Sequence, residues 1–166
     1  MKNETITDVI DFEPERIRGL EISAWVGHLP FAHTLVKQFQ PSLIVELGTH
    51  WGASYFTFCH AVKESRLSTV CYAVDTWEGE RHSGHYGESV YETVSLHNEH
   101  HYRDFSQLLQ KTFDQAIDQF RDESIDLLHL DGLHTYDAVS SDFSQWWPKV
   151  KPGGVVLLHD ICCRHQ

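Results

Sequence analysis

Several polar groups in this chain sit directly after short apolar runs, where a protein can hold reactive side chains along the lip of a sheet. The run Leu43 to Leu47 leads into Gly48-Thr49-His50-Trp51-Gly52. A glycine just past a strand and another opening a helix let the backbone pass close to a ligand, and a helix N-terminus offers N–H groups to it. Two acids accompany that turn: Glu46, one residue before the run ends, and Asp75, which closes the run Val70 to Val74. An acid after the second strand of a parallel sheet faces the ribose of a bound nucleoside, because a carboxylate accepts both sugar hydroxyls. The same glycines also fit a tight strand-to-helix turn that holds no ligand.

A second set of reactive side chains follows two later runs. Asp131-Gly-Leu-His134-Thr-Tyr136-Asp137 comes after Ile125 to Leu130, and His159-Asp160 comes after Val155 to Leu158. Asp131 and Asp160 are suited to a divalent ion; His159 either joins them, which would favour a metal softer than magnesium, or is no ligand at all. The alternative is plainer: the acids cap the following segments and the histidines are solvated. His129, inside its own run, reads as a core histidine. His82, His85, His97, His100 and His101 crowd one segment. His97 and His101 have chelating i, i+4 spacing, yet no acid or cysteine partner is fixed beside them.

Elements that position these groups follow from hydrophobic period. Phe31, Leu35 and Phe39 predict a helix stopped by Pro41, and Leu43–Leu47 a strand buried on both faces. Ser54–Lys63 reads as a helix with Tyr55, Cys59 and Val62 on one side, and Val70–Val74 as a second buried strand. From 78 to 104 the chain is rich in His, Glu and Tyr, which reads as neither strand nor core helix; Tyr91, Val94 and Asn98 mark a thin surface-helix stripe. Phe105–Lys111 is strand-like, and Phe113, Ile117 and Phe120 mark a short helix. After the strand Ile125–Leu130, the residues Val139, Phe143, Trp146, Trp147 and Val150 predict a helix over Thr135–Val150, in which one tryptophan of the pair packs as core. Lys151-Pro-Gly-Gly154 reads as a turn, and Val155–Leu158 as the last strand. Alternation of this kind implies an α/β fold, a Rossmann-like doubly wound parallel sheet with every polar cluster on one edge.

Composition bounds the partners. The chain has 166 residues, 41% hydrophobic, enough for one domain with a buried core. Its formal charge of -11 disfavours nucleic acid and anionic membrane surfaces as partners. The start lacks a secretory profile and no run of about 18 apolar residues occurs, so a cytoplasmic location with reduced cysteines is expected. Residues 1–20 are polar and weakly patterned, which predicts a flexible segment ahead of a core at 21–166.

The runs VELGTHWGAS, AVDTWEGE, IDLLHLDGLHTYDAV and WWPKVKPGGVVLLHDI, in this order, resemble class I S-adenosylmethionine-dependent methyltransferases, and in particular the methyltransferase 24 family. The resemblance covers Leu43 to Ile161. It implies S-adenosylmethionine as cofactor, with Glu46, Gly48, Thr49 and Gly52 around its methionine part, Asp75 on the ribose and Trp77 over the adenine. It also implies O-methyl transfer to a hydroxylated small molecule such as a sugar, in glycan or natural-product biosynthesis. His134 would be the base beside Asp131, and Asp131, His159 and Asp160 would hold magnesium or another divalent metal. The insertion at 78–104 lies where this group carries a lid over the acceptor.

Two departures from the family pattern stand out. His50 stands where the usual Gly-x-Gly-x-Gly has its middle glycine, although related sequences of this subgroup tend to carry a larger residue there, and the chain stops six residues after Asp160, where such enzymes normally add a helix and two final strands, so it is either a fragment or completed by another copy. An exposed sheet edge would invite a homodimer. The rival readings are a dinucleotide-dependent oxidoreductase, which needs a Gly-x-Gly-x-x-Gly turn, and a non-catalytic nucleoside-binding or assembly protein.

Overall fold

The structure, a computed structural model, describes residues 23–80, 84–85 and 88–159. The expected flexible segment at 1–20, together with His82 and Asp160, lies outside those residues.

A short 3-10 turn, Ala24–His28, is capped by the Ser23 hydroxyl, which accepts from Trp25 N. It leads into α1, Leu29–Phe39, with Pro30 in its first turn. Then come β1 (Leu43–Leu47), α2 (Ala53–Glu64) and β2 (Val70–Asp75). A small hairpin, β3 (Gly79–Glu80) with β4 (Gly84–His85), precedes α3 (Glu88–His101). The chain continues through β5 (Ser106–Gln110), α4 (Phe113–Ala116), β6 (Ile125–Leu130), α5 (Tyr136–Trp146) and β7 (Val150–Leu158).

Five strands form one parallel sheet in the order β5-β2-β1-β6-β7. The order reverses direction at β1 and β6, which is the switch point where such sheets bind ligands. Period-2 alternation sends Ile44, Cys71, Ala73 and Leu127 into the core under α1, α2 and α3. Val45, Leu47, Val74 and Leu128 go the other way, against α4 and Trp146 of α5. The doubly wound α/β sheet expected from the sequence is the fold. Among the described residues no helix is long and apolar enough to cross a membrane.

Four local expectations are corrected. α1 buries Leu29, Ala32, His33 and Val36, whereas Phe31 is 56% exposed, because the helix begins earlier and its inner face is offset from the aromatic stripe. α2 is buried on nearly every side, since it lies between the sheet, α1 and Tyr102. The 78–104 insertion does contain strands, and α3 buries Val90 and Val94 in the main core. Finally, α5 stops at Trp146 and a 3-10 turn carries the chain to Val150, which already pairs with Ile125. Lys151-Pro-Gly-Gly is then a bulge within β7: two residues further along β6, Leu127 pairs with Val155. Of the tryptophan pair, Trp146 is fully buried and Trp147 is half-exposed, as a helix face with one core tryptophan requires.

Candidate functional site

Main-chain hydrogen bonds carry the ladder one residue past three adjacent strands. Gly48 N donates to Val74 O at 2.9 Å, Asp131 N to Leu47 O at 2.8 Å and His159 N to Leu130 O at 3.1 Å. These bonds set Gly48, Asp131 and His159 in a row on the C-terminal rim of the sheet. The residues expected from three separate motifs are therefore neighbours in space.

On the β1 side, Gly48 has φ +87°, and a Cβ placed there would strike the carbonyl of Asp131. Only glycine allows the two loops to approach this closely. His50, between Gly48 and Gly52, adopts φ +51°, so the left-handed turn accommodates a side chain. Asp75 secures it: one carboxylate oxygen accepts Thr49 N at 2.8 Å and His50 N at 2.9 Å, while the other accepts Trp77 N at 2.8 Å. Three of about four lone-pair directions of Asp75 are thus filled by backbone, leaving room for one sugar hydroxyl rather than two. Gly52 opens α2 with φ +86° and no side chain caps that helix, so its first-turn N–H groups are left to the rim. Thr49 is buried and its hydroxyl has no partner among the described residues.

Trp77 is buried rather than spread over an open cleft. Its indole N–H donates to His50 O at 2.9 Å and its ring packs on Tyr91 at 4.9 Å. Glu46 is also fully buried, and accepts from or shares a proton with Nδ1 of His129 at 2.7 Å, the residue that faces it across the β1–β6 register. Burial pushes the Glu46 carboxyl above the ordinary range, against the pull of His129. His129 is the core histidine its position in the strand predicts.

On the β6–β7 side, Asp131 gathers three rings. Its Oδ1 lies 3.0 Å from His159 Nδ1 and 3.7 Å from His134 Nε2, and its Oδ2 accepts the Trp25 indole N–H at 2.8 Å. Burial pushes the Asp131 carboxyl up, but the bond from His159, the fields of His129 and His159 and the Trp25 donor outweigh it and hold it below the usual aspartate value. Asp131, His134 and His159 each present one ligand atom, all within 4.8 Å of one another. Asp160 falls outside the described residues. Thr135 caps α5 through its hydroxyl, which fixes the short turn that carries His134.

Trp25 is the residue that motif reading misses. It stacks on His159 at 5.1 Å and meets His129 edge-on at 4.6 Å, so one indole joins the rim cluster to the buried Glu46–His129 pair. The signal present was a lone tryptophan just ahead of the first helical stripe.

Residues 45–161 match the methyltransferase 24 family, a methyltransferase domain. The uncharacterised protein y4gI of Sinorhizobium fredii is 54% identical over 144 residues, which cover 87% of this chain and 16% of that protein. Among solved structures, the chain resembles the S-adenosylhomocysteine-bound methyltransferase PaMTH1 of Podospora anserina, with TM-score 0.62 and 12% identity over 80% of this chain and 51% of that one. It also resembles the O-methyltransferase TomG of Streptomyces achromogenes, bound to S-adenosylmethionine, with TM-score 0.63 and 13% identity over 95% of this chain and 66% of that one. This chain thus spans a small part of y4gI and between half and two thirds of these structures. With its fold, its four ordered motifs and this match, the chain belongs to the methyltransferase 24 family of class I, S-adenosylmethionine-dependent methyltransferase domains.

Proposed function

We propose that this chain binds S-adenosylmethionine along the rim above β1 and β2 and transfers its methyl group to a hydroxyl of a small hydroxylated acceptor, such as a sugar. The observation that carries the reading is the Asp75-pinned turn beside an uncapped α2, which together offer an acceptor for a ribose hydroxyl and N–H groups for the cofactor's carboxylate. The buried Thr49 hydroxyl is a further group left for that ligand. Trp77, held through its ring N–H, lends an apolar edge to the adenine side.

The acceptor site lies at Asp131, His134 and His159. His134 is the more exposed of the two imidazoles, 23% against 10% for His159, and serves as the base. It takes the acceptor's hydroxyl proton, the oxygen forms a bond to the methyl carbon, and the carbon–sulfur bond breaks with its electron pair returning to sulfur. Most of the acceleration comes from alignment, since the sulfonium is already activated. The donor set fits a divalent cation: Asp131 and His159, with Asp160 beyond the described residues, would hold it, and the imidazole favours a zinc-class over a magnesium ion. When bound, it supplies polarisation of the acceptor oxygen.

The test is methyl transfer from labelled S-adenosylmethionine to a panel of saccharides and other hydroxylated small molecules. His134→Ala should reduce turnover about 100-fold or more with cofactor affinity nearly unchanged. Equal loss of both would overturn the role of His134 as base.

A further inference from the structure

We propose that His33, His60 and Glu64 form a second site, for a zinc-class divalent cation, between α1 and α2 and remote from the rim. α2 starts at Ala53, directly after the rim turn, and Glu64 is its last residue, so His60 and Glu64 lie about 10 and 16 Å away along the helix axis. His60 and Glu64 stand at i, i+4 and so share a face of α2, the spacing by which a single helix supplies two metal ligands. α1 contributes His33 from across the helix pair.

The three residues present ligand atoms within 4.8 Å of one another. His33 Nε2 is 2.7 Å from Glu64 Oε2, and the His33 and His60 rings run within 30° of parallel at 5.9 Å. A tetrahedral zinc site spaces its ligand atoms about 3.3–3.5 Å apart, so closure asks for movements on the order of 1 Å. Glu64 and His60 are only partly buried and can supply them, while His33 is 1% exposed and forms a fixed wall. Two imidazoles and one carboxylate are the donors of a zinc-class ion with one position open to water. Lys37 Nζ reaches the same Glu64 oxygen at 3.5 Å and is a third exposed, so its ammonium competes with the ion and can swing outward.

The experiment titrates cobalt(II), then zinc, into protein carrying His134→Ala and His159→Ala, which removes both imidazoles of the Asp131 cluster. The proposal predicts one equivalent of cobalt with the visible absorption of a four-coordinate ion, displaced by zinc. Adding His60→Ala should weaken binding at least about a hundredfold, with circular dichroism unchanged because the His33–Glu64 bond remains. Lys37→Met should tighten it. Absence of saturable binding, or binding indifferent to His60→Ala, overturns the proposal. Should the rim variant not fold, wild type against His60→Ala alone must differ by one equivalent of metal.

Discussion

The carboxylate of Asp75 holds the amide of His50 at 2.9 Å, and through that bond a residue with a side chain keeps a left-handed backbone, φ +51°. A non-glycine residue in that region costs about 1–2 kcal/mol, comparable to what a hydrogen bond to a charged acceptor returns. Asp75 therefore shapes the turn after β1 before any ligand is present.

Asp75→Ala should release three backbone N–H groups at once. The expected outcome is a fall in S-adenosylhomocysteine affinity of at least about tenfold and a loss of about 1–3 kcal/mol in urea unfolding. Asp75→Asn, which keeps one acceptor oxygen, should fall between the two. Equal affinity in all three proteins would remove the residue from the site.

Gly48 and Gly153 make a paired test, since both have positive φ but differ in surroundings. A Cβ on Gly48 meets the Asp131 carbonyl, whereas one on Gly153 meets nothing within 4 Å. Gly153→Ala should cost only the backbone term, about 1 kcal/mol, and Gly48→Ala about 2–4 kcal/mol with weakened cofactor binding. Urea unfolding of both variants reads the difference, which isolates the contact between the β1 and β6 loops.

The Glu46–His129 pair is buried on both sides, so removing one partner strands the other. His129→Leu should destabilise the domain by about 3–5 kcal/mol, and adding Glu46→Leu should recover much of that loss. Chemical denaturation of the two single variants and the double one closes the cycle.

Asp142 gives stability a dependence on pH. Burial first, and the nearby charge of Asp114 second, push its carboxyl up to about 6. A raised folded-state value means that the stabilisation is complete below the ordinary aspartate range and is lost as pH rises from about 3.8 through about 6. Above that window the ionised group is a burden. Asp142→Asn should then be more stable than wild type at pH 7.5, by on the order of 1 kcal/mol after solvent screening of this partly exposed group. The gap should vanish near pH 4, as thermal melts across that range will show.

How far the sequence was legible follows the range of each interaction. Strands β1, β2 and β6 are short apolar runs that end in a glycine or an aspartate, so their rim residues can be named without coordinates. The end of α5 is hidden because Trp146, Trp147 and Val150 keep helical spacing while Val150 already pairs with Ile125. That pairing is a long-range choice which local period does not record. The partnership of Glu46 with His129 depends on the β1–β6 register, and the seat of Trp25 on Asp131 joins residues 106 positions apart. Asp75 was readable as a rim acid, but its three backbone partners were not, because they depend on the turn it stabilises.

The central claim is that this rim holds the adenosyl cofactor, and calorimetric titration of the purified chain with S-adenosylhomocysteine tests it most directly. Saturable binding at one equivalent, weakened by Asp75→Ala and indifferent to NAD, is the predicted result. A chain whose circular dichroism and cooperative melting show it folded, yet which gives no binding heat and no thermal shift with either S-adenosylhomocysteine or S-adenosylmethionine, would contradict it.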